Sequence, residues 1–153
     1  MSLEPGAKIA DFNAEATLGP VSLSALDGRK VVLYFYPKDN TPGCTSEAAE
    51  FRDLNAAFEE AGVTVFGVSR DGLKSHQNFR TKLDLPFDLI ADTEEALCTA
   101  FDVMKMKNMY GKQVRGIERS TFLIGPDRTL IKAWRGVKVA GHAQQVLDAA
   151  RAA

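Results

Sequence analysis

Sulfur and imidazole are scarce in this chain: its 153 residues include two cysteines and two histidines, all far apart. Four such residues, scattered, do not form a finger-type tetrahedral zinc site, and two cysteines are too few for a disulfide framework. An excess of either charge is also lacking. Nineteen Lys and Arg stand against twenty Asp and Glu, for a net charge of −1, so neither nucleic acid nor an anionic membrane finds a basic surface. No apolar run approaches the ~18 residues of a membrane span, and Met1–Gly6 lacks a basic-then-apolar leader. There is no phosphate-binding glycine loop, no G-x-G-x-x-G and no C-x-x-C; the last absence argues against a disulfide reductase. These absences point to a cytosolic protein without metal or cofactor, folded as one domain over residues 1–153.

What is present is an ordinary globular composition, 45% apolar and 25% charged, enough to bury a core. Residues 14–17 and 21–23 flank Leu18-Gly19-Pro20 and read as a small hairpin. Val31-Val32-Leu33-Tyr34-Phe35-Tyr36 is apolar or aromatic without alternation, which suits a strand buried on both faces, as in a parallel sheet. Phe51, Leu54, Phe58 and Ala61 then recur at helical spacing, and Gly62 falls where helices end. A strand over 63–68, a helix over 76–83, a strand over 87–90 and a short helix over 93–101 follow. Residues 104–115 read as a loop. A hairpin over 121–124 and 130–134 turns at Gly125-Pro126-Asp127-Arg128, and a final helix spans 140–152. Strands alternating with helices, then a late hairpin and a helix, predict an α/β domain with a mixed sheet.

Chemistry concentrates in Pro37-Lys38-Asp39-Asn40-Thr41-Pro42-Gly43-Cys44-Thr45-Ser46-Glu47. This segment lies between the C-terminal end of a buried strand and a helix N-terminus, where open α/β sheets place ligands. Thr41 suits the N-cap and Pro42 the first helical position, which puts Cys44 at N3. Free backbone N–H groups and the positive end of the helix dipole face a sulfur there, an arrangement that favours thiolate over thiol. The bland alternative is a small buried cysteine filling a gap between helix and strand.

Pro37-x-x-x-Thr41-x-x-Cys44 resembles the peroxidatic signature of the peroxiredoxins. Tyr36-Pro37, Gly43-Cys44-Thr45-x-Glu47 and Phe51-Arg52-Asp53 are similar to the bacterioferritin comigratory protein (Q-type) subfamily, as are Lys107-x-Met109-Tyr110-Gly111-Lys112 and Arg119-x-Thr121-Phe122-Leu123-Ile124. The resemblance covers nearly the whole chain. It implies a thioredoxin-like fold and reduction of hydrogen peroxide and organic hydroperoxides by cysteine, without metal or haem. It assigns Cys44 as peroxidatic nucleophile, Thr41 as the hydroxyl contacting sulfur and peroxide, and Pro37 as a shield against water. Arg119 matches the distant active-site arginine; its alternative is an exposed charge at a strand end. Glu47 is expected to orient an arginine or cap the helix, with no histidine near it in sequence to share a proton. The implied partners are a hydroperoxide and a thiol reductant (thioredoxin, glutaredoxin or glutathione), and the implied assembly is a monomer or weak dimer. A slow-turnover redox sensor and a non-catalytic thioredoxin-like binding module are the rival readings.

Nucleophile activation alone does not make such a site. A thiol of pKa ~8.5 is roughly 3% thiolate at neutral pH and one near 6 about 90%, a gain of ~30-fold. A Brønsted slope of ~0.4–0.5 takes back about 10–18-fold in nucleophilicity, so the net is only about two- or three-fold. The larger contribution must come from hydrogen bonds that strengthen as the O–O bond breaks; Thr41, Arg119 and the Cys44 N–H are the expected donors.

Many members of the subfamily carry a resolving cysteine five residues after the peroxidatic one; here that residue is Ala49. Cys98 is the other cysteine, beside Leu97 and Phe101, and reads as packing or, alternatively, as a resolving thiol. The expectation is a one-cysteine cycle resolved by an external thiol. Met104, Met106 and Met109 read as a flexible loop over the sheet, or else as a soft contact surface. His76 and His142 read as solvated helix residues. Glu59-Glu60 and Glu94-Glu95 suit solvation better than paired acid–base work.

Overall fold

The computed structural model describes residues 3–153. β1 (Asn13–Ala14) and β2 (Val21–Ser22) pair antiparallel as a hairpin whose first arm is shorter than the expected 14–17, Ala16 bridging Ile90 instead, and a 3₁₀ turn, Ser24–Leu26, leads to β3 (Lys30–Phe35). Then come α1 (Pro42–Glu60), β4 (Val63–Ser69), α2 (Leu73–Leu83), β5 (Asp88–Ala91), α3 (Ala96–Ala100), β6 (Met104–Met109) and β7 (Lys112–Ile117). β8 (Ser120–Ile124), β9 (Leu130–Arg135) and α4 (His142–Ala152) complete the order. The central sheet runs β5-β4-β3-β8-β9. β3 is parallel to β4 and β4 to β5, while β8 is antiparallel to both β3 and β9. The sheet is mixed, as the alternation of elements predicts. Among the described residues no helix is long and apolar enough to cross a membrane.

β3 lacks alternation because both faces are covered: Val31 to Phe35 are all buried. Val32, Tyr34 and Tyr36 pack with Cys44, Phe51 and Phe58 of α1, Phe79 of α2 and Val146 of α4. Val31, Leu33 and Phe35 pack in the opposite layer with Leu97, Cys98 and Phe101. The period-2 geometry of one strand thus separates the two cysteines to opposite sides of the sheet.

Three expectations need correction. Residues 104–115 are not a loop: β6 and β7 pair in register from Met104↔Ile117 to Met109↔Lys112. The connecting Tyr110 and Gly111 have φ of 54° and 81°, the left-handed pair of a tight primed hairpin turn. Among the described residues this ribbon pairs only with itself, and it carries few β-branched residues, so its composition gives little strand signal. The helix expected from 93 begins only at Ala96. Asp92 reaches past the intervening turn to accept the N–H groups of Leu97 and Cys98, and Glu95 takes a φ of 63° ahead of the helix. The third correction concerns His76 and His142, which are 0% and 3% exposed rather than solvated. Each has buried polar partners that lie far from it in sequence.

For His142 the partner is Thr121 Oγ1, 2.8 Å from Nε2, with Trp134 and Phe51 edge-on around the ring. Burial, aided by the charge of Arg119, pushes His142 down to about 4. The unfolded chain therefore binds the extra proton first, and stability should fall as pH drops from the ordinary histidine value towards 4. At about 1.4 kcal/mol per unit, the loss approaches ~3 kcal/mol. Urea unfolding at pH 7 and 4.5 checks this: the gap between the two should shrink by about 2 kcal/mol in His142→Gln.

Candidate active site

The segment after β3 turns into α1 through Thr41, whose φ of −91° and ψ of 153° make it an extended N-cap, with Pro42 at N1. Pro42 lacks an N–H that would have no partner there, and its ring presets the helical φ. Cys44 is the third helical residue and 1% exposed. The first intrahelical bond runs from Thr45 N to Thr41 O at 2.9 Å, so the amides of Gly43 and Cys44 stand ahead of the ladder. These amides and the helix dipole supply positive character around the sulfur.

Arg119 reaches this point through sheet register. Ser120 pairs with Phe35, so the residue before β8 emerges beside the loop that leaves β3. Arg119 Nη2 donates to Cys44 Sγ at 3.5 Å, and Nη1 donates to Glu47 Oε1 at 2.6 Å. Gly43 leaves room for this approach, since a Cβ there would lie 3.1 Å from Arg119 Nη2. Glu47 sits three residues after Cys44, hence on the same helix face, and is 1% exposed. Burial opposes the charge of Arg119, but Glu47 and Cys44 more than offset it and hold the guanidinium above its ordinary value. Burial pushes the Glu47 carboxyl up to about 7, against the pull of Arg119. Two buried atoms, Glu47 Oε2 and Tyr34 Oη, have no hydrogen-bond partner among the described residues. Burial, with Glu47 and Cys44 beside it, holds the Tyr34 phenol protonated well above its usual range.

The other expected residues are placed differently. The Thr41 hydroxyl donates to Lys38 O at 2.8 Å, which leaves its oxygen lone pairs to accept. Pro37 is half-buried at the start of the loop. Cys98 does not join this group. It lies in α3 on the other side of the sheet, where burial and the Asp92 carboxylate push its thiol far up.

Two residues escaped the sequence reading of the site. Tyr34 reads as one apolar member of a buried strand, and nothing local marks its hydroxyl. Lys107 lies on β6, in the stretch expected to be a loop. Burial and the nearby Arg119 lower it while Cys44 and Glu118 pull the other way, so its ammonium lies within electrostatic reach of the site. Alternation along a second short ribbon closing at Tyr110-Gly111 was the available signal. One group with metal-binding chemistry occurs among the described residues, Asp39, Asp71 and His76, whose ligand atoms lie within 4.8 Å of one another. Hydrogen bonds already join them, His76 Nδ1 to Asp39 Oδ2 and the Asp39 N–H to Asp71 Oδ2.

A sulfur at a helix N-terminus beside a buried guanidinium is arranged for nucleophilic attack with anion stabilisation alongside. The AhpC/TSA family matches residues 5–133. Peroxiredoxin Bcp of Xanthomonas campestris pv. campestris is 57% identical over 131 residues, 86% of this chain and 82% of the relative. A peroxiredoxin Q structure from Xanthomonas campestris superimposes with a TM-score of 0.90 at 51% identity, covering 99% of this chain and 96% of the other. A bacterioferritin comigratory protein structure from the same organism, described for its alkyl peroxide reduction activity, has a TM-score of 0.89 at 50% identity, covering 99% and 97%. The mixed sheet and its helices are thus those of thioredoxin-fold peroxiredoxins. The chain belongs to the AhpC/TSA family and, within it, is a peroxiredoxin of the Bcp or Q type, a thiol-dependent peroxidase.

Proposed function

We propose that the chain reduces hydrogen peroxide and organic hydroperoxides at Cys44 through a one-cysteine cycle completed by an external thiol. The observation that carries the reading is Arg119 Nη2 at 3.5 Å from Cys44 Sγ, with Cys44 in the first turn of α1. The thiolate attacks one peroxide oxygen, the O–O bond breaks, and the other oxygen leaves as water or alcohol after taking a proton. Cys44 becomes a sulfenic acid. Arg119 and the Cys44 N–H donate to the oxygens as charge shifts onto them, and Thr41, its own proton held by Lys38 O, accepts from the incoming O–H. Pro37 limits water at the mouth. A first thiol then forms a mixed disulfide with Cys44 and releases water. A second thiol restores Cys44 and leaves as the donor's disulfide.

The alkyl peroxide activity described for the Xanthomonas campestris relative supports organic hydroperoxides as substrates. The one-cysteine cycle is supported by Ala49 at the usual resolving position and by the sheet that separates Cys98 from Cys44. A disulfide needs Cα atoms within ~7 Å, so Cys98 would have to leave its layer before it could form one. An external donor (thioredoxin, glutaredoxin or glutathione) needs only a loosened first turn of α1, where Gly43, Thr45 and Ser46 are weak helix formers.

Intact-mass measurement after one equivalent of peroxide tests the cycle. The expected product gains one oxygen atom, and Cys98→Ser keeps near wild-type turnover with a small thiol donor. Loss of two hydrogens instead, with turnover abolished in Cys98→Ser, would identify a Cys44–Cys98 disulfide and overturn the proposal.

A further inference from the structure

We propose that His76 and Asp39 form a positioning latch for the reaction at Cys44, fixing the 36–41 segment that brings Pro37 and Thr41 to the sulfur. The inference rests on the peroxidase reading above and adds two positioning residues to it. Asp39 lies midway between Pro37 and Thr41 in a connection between strand and helix, yet it is 4% exposed. Its carboxylate takes three hydrogen bonds: from Tyr36 Oη at 2.6 Å, Ser75 Oγ at 2.8 Å and His76 Nδ1 at 2.7 Å. Its backbone N–H donates to Asp71 Oδ2 at 2.9 Å, and Ser69 Oγ donates to the same oxygen at 2.6 Å. The loop centre is thereby tied to the end of β4 and to α2.

His76 extends the tie to β5. Its Nε2 lies 2.9 Å from Ile90 O, and the ring is fully buried. A carboxylate oxygen and a backbone carbonyl thus hold the two ring nitrogens from opposite sides. Burial by itself would raise Asp39, yet the bonds from His76, Tyr36 and Ser75 hold its carboxyl below the ordinary value. A buried polar pair of this kind contributes little net stability, because desolvation offsets its attraction. Its worth lies in the single geometry it enforces. That geometry includes Asn40 at φ +64°, a conformation unusual outside glycine, immediately before Thr41.

None of the latch bonds touches Cys44, so the effect travels through the backbone. A misplacement of ~1 Å in a group aligned with the reacting atoms costs about 100-fold. Breaking the latch should therefore slow peroxide attack while sparing reactions that need only the sulfur.

The test compares two rates at Cys44 in the full chain: oxidation by hydrogen peroxide and alkylation by iodoacetamide. His76→Phe and Asp39→Ala should lower oxidation by about 30–100-fold and alter alkylation by less than ~3-fold. Asp39→Asn should recover to within ~5-fold of wild type, since its amide can donate to a neutral His76 Nδ1 while its oxygen still accepts from Tyr36. Ser75→Ala removes one bond and no ring from the core, so it folds even where the larger changes do not; oxidation should drop by about 3–5-fold. Wild-type oxidation rates in folded Ser75→Ala and His76→Phe, or equal impairment in Asp39→Asn and Asp39→Ala, would overturn the latch. Parallel losses in both rates would do so too, marking a general loosening of the fold. Failure of the wild-type chain to oxidise at Cys44 would instead sink the peroxidase reading itself.

Discussion

Serine in place of Cys44 is expected to bring peroxide consumption, measured with excess dithiol, down to the protein-free background. The reaction depends on sulfur in two ways. A thiolate is accessible near neutral pH, whereas a serine alkoxide is not, and sulfur can take an oxygen atom and later lose it as water to a reducing thiol. Neither surrounding feature substitutes for that chemistry. The helix N-terminus and Arg119 both remain in the variant, and they stabilise charge without providing electrons. The substitution is nearly isosteric at a 1% exposed position, so cooperative unfolding should persist with a midpoint close to wild type. Retained turnover would mean that another group reduces peroxide, and no role for Cys44 as nucleophile would survive.

Arg119→Met is expected to lower the rate constant for Cys44 oxidation by about 10²–10³-fold, the usual cost of removing one donor aimed at developing charge. Its effect on stability should depend on pH, and the sign follows from Glu47. That carboxyl already stands at about 7 because of burial, with Arg119 pulling it down. Without the guanidinium it rises further. A carboxyl raised in the folded state contributes stability that is present at low pH and lost as pH climbs through its folded value. The variant should thus be close to wild type in stability below pH 6 and weaker above pH 8, by up to about 3 kcal/mol for a charge left buried and unpaired. Adding Glu47→Gln removes the charge. The double variant should regain stability at pH 8 while oxidation stays slow. Recovery of the rate together with stability would show instead that Arg119 acts by holding the helix start in place.

Legibility in the sequence tracked the range of the interactions involved. Thr41 as N-cap, Pro42 at N1 and Cys44 at N3 all depend on backbone groups within one helical turn, and the structure has them there. The buried strand, its missing alternation and the hairpin at 125–128 were readable for the same reason. The β6–β7 ribbon was not, since Met and Lys have weak strand preference and the Met104-Lys105-Met106-Lys107 alternation is too short to outweigh it. Met106 is 62% exposed, and Tyr110 is fully so.

The sequence by itself determined a cysteine in the first turn of a helix that follows a buried strand, because cap, proline and sulfur act within a few residues of one another. Only the tertiary structure decided what surrounds that sulfur. Arg119 arrives 75 residues later because Ser120 pairs with Phe35; a shift of register would send it elsewhere. His76 and His142 look alike as isolated helix residues, yet their partners, Asp39 with Ile90 O and Thr121, lie on other elements and determine their burial. Cys98 differs from Cys44 for the same reason. Alternate residues of one strand point into opposite layers, and the packing of α1 and α3 against those layers puts a sheet between the two sulfurs.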